Sequence, residues 1–266
     1  MTARILLLGL AFASALVFPA AAADSRLAAA IAAPTRAAEN TVRDRFRHPQ
    51  ASLEFWGLKP HQTVVEIAPS NGYWSEILAP YAKATGGHYI AAEGRAGQML
   101  PAKFADKAVY GDIAYTVFGN TSGPLGPAGS ADLVLTARNI HDWLWTPGEA
   151  QKAMRDFFAV LKPGGILAVE DHRADPRPQI GDAHDGYVVT ATIVNLAKKA
   201  GFVLEAKSEI NANPKDTKDH PFGVWTLPPT RQSAPGGQPD NPSFDHSKYD
   251  AIGESDRMTL RFRKPG

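Results

Sequence analysis

The sequence contains no cysteine. That absence excludes thiolate nucleophiles, disulfides and thiolate-bound metal centres together, and it excludes a lipidated N-terminal cysteine. Charge of one sign is also missing: 28 Lys and Arg stand against 27 Asp and Glu, with no long basic block. A nucleic-acid surface is therefore not indicated, and the expected partner is a small molecule. No internal repeat is present. At 266 residues and 44% hydrophobic content, the chain can bury one sizeable core with appendages.

What is there begins with an export signal. Arg4 supplies a positive start, residues 5–18 are uncharged and apolar, Pro19 interrupts them, and Ala21-Ala22-Ala23 form a small-residue cleavage site before Asp24. Cleavage after Ala23 removes Arg4 and leaves 27 basic against 27 acidic residues. The mature chain is then expected to be periplasmic or secreted, with no stable membrane insertion. Residues 24–47, rich in alanine and arginine and broken by Pro34, read as a loosely packed N-terminal arm. Residues 48–266 read as one domain. Its first part, "HPQASLEFWGLKP", places Leu53, Phe55, Trp56 and Leu58 on a short helix ending at Gly57 that covers one edge of the downstream sheet.

From residue 63 the pattern alternates. "TVVEI" is a β-branched run suited to a strand buried on both faces. Tyr73, Trp74, Ile77, Leu78 and Tyr81 recur at helical spacing until Gly86-Gly87. Further strands are predicted over 88–93, 108–112, 131–136 and from "LKPGG" into 166–170, with helices over 149–161 and 187–202. The final "RMTLRFRK" alternates apolar and charged residues as an antiparallel strand does. This order predicts an α/β fold, a doubly wound, mostly parallel sheet with a C-terminal antiparallel strand. A long loop insertion spans about 211–256, with residues 215–225 as a packed lid. Its composition gives no oligomeric state.

In such sheets ligands bind at the carboxyl ends of the strands. The residues there include "VVEIAPSNG" after the first strand, Glu93 closing the second and "GD" at Gly111-Asp112, while "LKPGG" leads into the fifth. In these motifs the chain resembles the class I, Rossmann-like S-adenosylmethionine-dependent methyltransferases, and most of all their exported bacterial branch. The resemblance covers about 53–264, and it implies S-adenosylmethionine as cofactor and a small methyl acceptor. It also implies roles. Glu93 accepts the ribose hydroxyls, and Asn71 and Gly72 offer N–H groups to the methionine carboxylate. Glu66 orients the loop or the cofactor's amino group, Asp112 meets the adenine amine, and Arg138 and Asn139 border the transferable methyl. Where the family's loop carries three alternating glycines, this one has Ala68, Ser70 and Gly72. The Cβ atoms of Ala68 and Ser70 narrow the approach of backbone to ligand, and Pro69 removes a donor.

A base for the acceptor points to histidine. Three candidates stand out: His141 in "RNIHDWLW", His172 in "EDHR", and His220 in the insertion. Asp171, His172 and Asp175, with Asp142 or His220, have oxygen and nitrogen ligands but no fixed metal spacing, so no metal site is assigned. The rival function is a non-catalytic periplasmic ligand-binding protein on a degenerate methyltransferase scaffold. A metal-assisted hydrolase using the Asp171-His172 end is a third.

Overall fold

The computed structural model describes residues 24–179 and 181–266. The export signal expected over 1–23 lies outside the described residues. A seven-stranded sheet runs through the domain: β1 Thr63–Ile67, β2 His88–Glu93, β3 Ile113–Val117, β4 Ala131–Ala137, β5 Leu161–His172, β6 Val203–Ser208 and β7 Arg257–Arg263. Their order is β3-β2-β1-β4-β5-β7-β6. β1 to β5 pair in parallel, and β7 runs antiparallel between β5 and β6. The strand order reverses between β1 and β4, which puts a crevice beyond their carboxyl ends.

The helices are α1 Ser25–Ile31, α2 Ala38–Thr41, α3 Asp44–Arg47, α4 Pro49–Phe55, α5 Ser75–Thr85, α6 Lys107–Tyr110, α7 Ile140–Trp143, α8 Glu149–Val160, α9 Thr190–Lys199 and α10 Ser247–Ile252. Alternation along β1 divides the core. Val65 and Ile67 face α8 and α9 with Met154, Phe157, Ile193 and Ala197, while Val64 faces α1, α4 and α5 with Leu27, Leu53, Ile77 and Leu78. By the same period of two, Glu66 points into the α5 side.

Three expectations change. The third strand is not 108–112. Asp106 caps the N–H of Ala108 and turns Lys107–Tyr110 into a helical turn, Gly111 stops it at φ 70, and the strand begins at Ile113. Second, residues 24–47 are not loosely packed. Leu27 and Ala30 enter the core, and the Arg36 guanidinium, wholly shielded, pairs with Asp44 at 2.7 Å and with Glu76 at 3.7 Å. Third, α4 covers a face rather than an edge: the Trp56 indole donates to the Leu260 carbonyl of β7, an interior strand, at 3.1 Å. The insertion, expected to be packed over 215–225, is fastened down. Asp216 accepts from the Tyr187 hydroxyl at 2.9 Å and from the Asp256 N–H at 2.7 Å, and Asn211 donates to Ser52 and Thr259. Its Val224, Thr226 and Leu227 are buried.

Candidate active site

The turn after β1 keeps a glycine backbone without the glycines. Ala68, Ser70 and Gly72 have φ of 47°, 54° and 80°. For a residue with Cβ the left-handed region costs about 1–2 kcal/mol, and such strain persists where the surroundings impose it, most often at functional sites. Gly72 itself is required, because a Cβ there would lie 2.5 Å from the Phe104 ring. The N–H groups of Ser70 and Asn71 have no acceptor among the described residues, and both residues are exposed. Ala68→Gly and Ser70→Gly are each expected to raise unfolding stability by about 0.5–1 kcal/mol, as strain relief exceeds the added chain entropy. Urea denaturation checks this, and a loss of stability would mean that the Cβ atoms pack rather than strain.

The three carboxylates do not converge as a set. Glu66 lies beneath the turn, where it accepts from the Tyr89 hydroxyl at 2.6 Å and the Ser75 hydroxyl at 2.9 Å. Burial pushes its pKa up to about 7, against those two hydrogen bonds, and nearby Glu93 adds to the rise. Glu66 therefore secures the start of α5 and is occupied by protein. Glu93, at the carboxyl end of β2, is 2% exposed and has no hydrogen-bonding or charged partner among the described residues; burial alone raises its pKa. Asp112 stands apart. Because β3 starts after it, it lies at the amino end of that strand, exposed and paired with Lys107 at 2.6 Å. The residues that do follow β3 are Phe118, Gly119 and Asn120.

Beyond β4 and β5 the side chains form a hydrogen-bonded base. Asp171 accepts from the Ile140 N–H at 2.8 Å and from the His172 N–H at 2.8 Å, and its Oδ1 lies 2.8 Å from His141 Nδ1. That contact keeps the proton on Nδ1 and turns Nε2 outward, 3.3 Å from Asp142. Burial lowers the pKa of His141, but Asp171 outweighs it and the net shift is upward. His172, its ring 5.0 Å from that of His141, meets the Ser255 hydroxyl at 2.5 Å. Burial and then His141 push its pKa well down, so it is neutral. Asn139 is tied to structure, donating to the Ile67 carbonyl at 2.9 Å and to Thr136 at 3.2 Å.

Ser70, Arg138, His141 and His172 line a polar cavity of about 170 Å³, roofed by Trp225 and Pro228 from the insertion. His220 does not reach it. Its Nε2 lies 2.8 Å from Asp216, and it lines a separate hollow of about 550 Å³ with Trp145, Phe222 and Trp225. Ligand atoms of His141, Asp171 and His172 lie within 4.8 Å of one another, so Asp171 and His172 meet His141. Asp175 is exposed and paired with Lys218 at 2.7 Å. Both Asp171 oxygens and His172 Nδ1 are already hydrogen-bonded, and a cation would have to break these bonds. Sequence reasoning passed over Asp171 as the orienting carboxylate, although its place at the end of β5 was visible. It also missed Ser255, Glu254 and Arg47, which reach the site only through the folding of the insertion and arm.

Solved structures share this fold. A SAM-dependent methyltransferase from Aquifex aeolicus superposes with a TM-score of 0.53 at 16% identity, over 84% of this chain and 92% of that one. The fold is that of the Rossmann-like methyltransferases. Phosphoethanolamine N-methyltransferase 2 from Haemonchus contortus, in complex with S-adenosyl-L-methionine, gives a TM-score of 0.52 at 14% identity, over 83% of this chain and 53% of its own. The cyclase SpnF gives 0.58 at 14% identity, over 87% of this chain and 85% of that one. No protein-family model and no curated protein matches the sequence. A cyclase on the methyltransferase fold shows why the reaction has to be argued from the site.

Proposed function

We propose that the protein binds S-adenosylmethionine and transfers its methyl group to a small acceptor. The observation that carries this is the turn at 68–72, which holds left-handed backbone at all three glycine positions although two of them bear Cβ atoms. Glu93 is the second support. Its carboxylate has no partner among the described residues while its oxygens stay open to solvent, and a ribose offers two hydroxyl donors to its paired acceptors. The N–H groups of Ser70 and Asn71 suit the carboxylate of the amino-acid tail. Asp112 has no part in the site, and Glu66 acts only by fixing the loop. The cavity of about 170 Å³ is smaller than the ~300 Å³ of small-molecule sites, so it takes the reacting end of a ligand and not the whole cofactor.

When bound, the cofactor supplies an electrophilic methyl group on a sulfonium centre. His141 Nε2 accepts the proton of the acceptor's nucleophile, Asp171 keeps the imidazole in the tautomer that leaves Nε2 unprotonated, and Asp142 at 3.3 Å favours the imidazolium that forms. The neighbouring hollow with Trp145 and Trp225 receives the body of the acceptor. His172 and His220, both engaged with protein partners, hold the walls. As in the exported branch that the sequence resembles, we assign residues 1–23 to secretion, which sequencing of the mature N-terminus tests.

Calorimetric titration with S-adenosylhomocysteine checks the binding. The wild-type protein is expected to bind at millimolar concentration or below. Glu93→Ala should weaken binding about tenfold or more, the value of losing hydrogen bonds to a charged acceptor. Because burial raises the Glu93 pKa above its ordinary 4.5, affinity should fall on acidification earlier than for an exposed glutamate. No binding by the wild type refutes the proposal. Unchanged affinity in Glu93→Ala refutes the site.

A further inference from the structure

Four guanidinium groups crowd the back of the polar cavity. Arg43 and Arg47 come from the N-terminal segment, Arg138 from the end of β4 and Arg257 from the start of β7. Two carboxylates answer them. Glu254 lies 2.6 Å from Arg43, 3.0 Å from Arg47 and 2.7 Å from Arg257. Glu170 lies 2.8 Å from Arg257, off the angle of a hydrogen bond. Asp171 is committed to His141 and the backbone, Asp44 pairs with Arg36, and His172 is neutral. Asp142, which also lines the cavity, lies 3.3 Å from His141 Nε2, so two carboxylates are in direct contact with a cluster of four cations.

Arg138 is the group left over. Its guanidinium has no hydrogen bond or ion pair among the described residues, its Nε is shielded and unpaired, and it lines the cavity beside Ser70. Nη2 atoms of Arg43 and Arg47 are likewise buried without acceptors. The chain holds Arg138 there at φ 62, a left-handed conformation that its Cβ disfavours. The residue is half-buried and its Nη atoms open to the cavity with no partner among the described residues. An anion in the cavity would pair that charge, and a guanidinium fork suits a planar carboxylate or a phosphate. The volume, about 170 Å³, is large enough to admit one such group.

We propose that this cavity is an anion site, in which Arg138 grips a carboxylate or phosphate group of the small molecule that meets the candidate active site. This rests on the methyl-transfer proposal for its meaning, since it makes the acceptor an anionic molecule with its charged group beside His141. The neighbouring aromatic hollow then holds the rest of that molecule.

Thermal shift and calorimetry with inorganic phosphate and acetate, against chloride at equal ionic strength, test the site without any cofactor. Saturable binding at millimolar concentration is expected, weakened about tenfold or more in Arg138→Gln and partly restored in Arg138→Lys. Arg138→Gln should also melt higher than the wild type in chloride, because it discards an unpaired charge. No saturable anion binding, equal binding by the wild type and Arg138→Gln, or a lower melting point for that variant in chloride overturns the proposal. The source of the anion is read by adding S-adenosylhomocysteine. Phosphate that binds alongside it marks the acceptor's group, and phosphate that competes with it marks the cofactor's own carboxylate. A failure of S-adenosylhomocysteine to bind sinks methyl transfer and leaves the anion site standing.

Discussion

Replacing Glu254 by glutamine is expected to lower the free energy of unfolding by about 3–5 kcal/mol, the range for breaking a buried ion pair by removing one partner. Its carboxylate is in contact with Arg43, Arg47 and Arg257, and of these only Arg257 has a second carboxylate, Glu170, within reach. Burial works to raise the Glu254 pKa, but Arg47, Arg257, Arg43 and Arg138 together hold it far below the ordinary value. A depressed folded-state pKa contributes stability that is present above the unfolded value of about 4.5 and is lost as pH falls through the folded one. The variant's deficit should accordingly be full at pH 7 and shrink on strong acidification. Urea denaturation measures it without screening the charges, as guanidinium chloride would. A deficit under about 1 kcal/mol, typical of exposed pairs, would mean that water reaches the cluster. The contact also joins residues 43–47 to 254–257, so its loss should loosen the N-terminal helices from the domain.

Glu66→Gln should act in the opposite direction. Burial pushes the Glu66 pKa up to about 7, so the folded protein resists its ionisation while the unfolded chain ionises near 4.5. Between those values the unfolded state binds fewer protons, and stability falls as pH rises. The penalty is complete above pH 7 and amounts to about 3 kcal/mol at pH 8, from 1.36 kcal/mol per pKa unit, against under about 1 kcal/mol at pH 5. Glutamine keeps a carbonyl acceptor for the Tyr89 and Ser75 hydroxyls and cannot ionise. The variant should be the more stable protein at pH 8 and nearly equal to the wild type at pH 5. Equal stability at both values would mean that Glu66 titrates normally.

Much of the fold was legible because burial writes itself into local patterns. "TVVEI", "ADLVLT" and the apolar face of 149–160 each announce one element, and the alternation in "RMTLRFRK" marked the antiparallel strand. The third strand was misread because "AVY" is apolar in either state. The deciding signals were the Asp106 cap and Gly111, which make 107–110 a helical turn and move Asp112 to the wrong end of β3. The site was half legible. Glu93, the 68–72 turn and His141 follow strands, where position along the sequence fixes position in space. The arginine cluster was not legible, since Arg43, Arg47 and Glu254 meet over some 210 residues of sequence. Nothing in the local pattern of an alanine-rich arm says which carboxylate it will find. The same holds for the roof over His141, which Trp225 supplies from a stretch with little periodicity.

The most direct test of the proposed adenosyl crevice is a crystal structure of the protein grown with S-adenosylhomocysteine. The account predicts the ribose hydroxyls on the Glu93 carboxylate and the amino-acid tail against the 68–72 turn, with Ala68, Ser70 and Gly72 still left-handed. The ligand bound elsewhere, for example in the hollow lined by Trp145 and Trp225, or no ligand at saturating concentration, would contradict it.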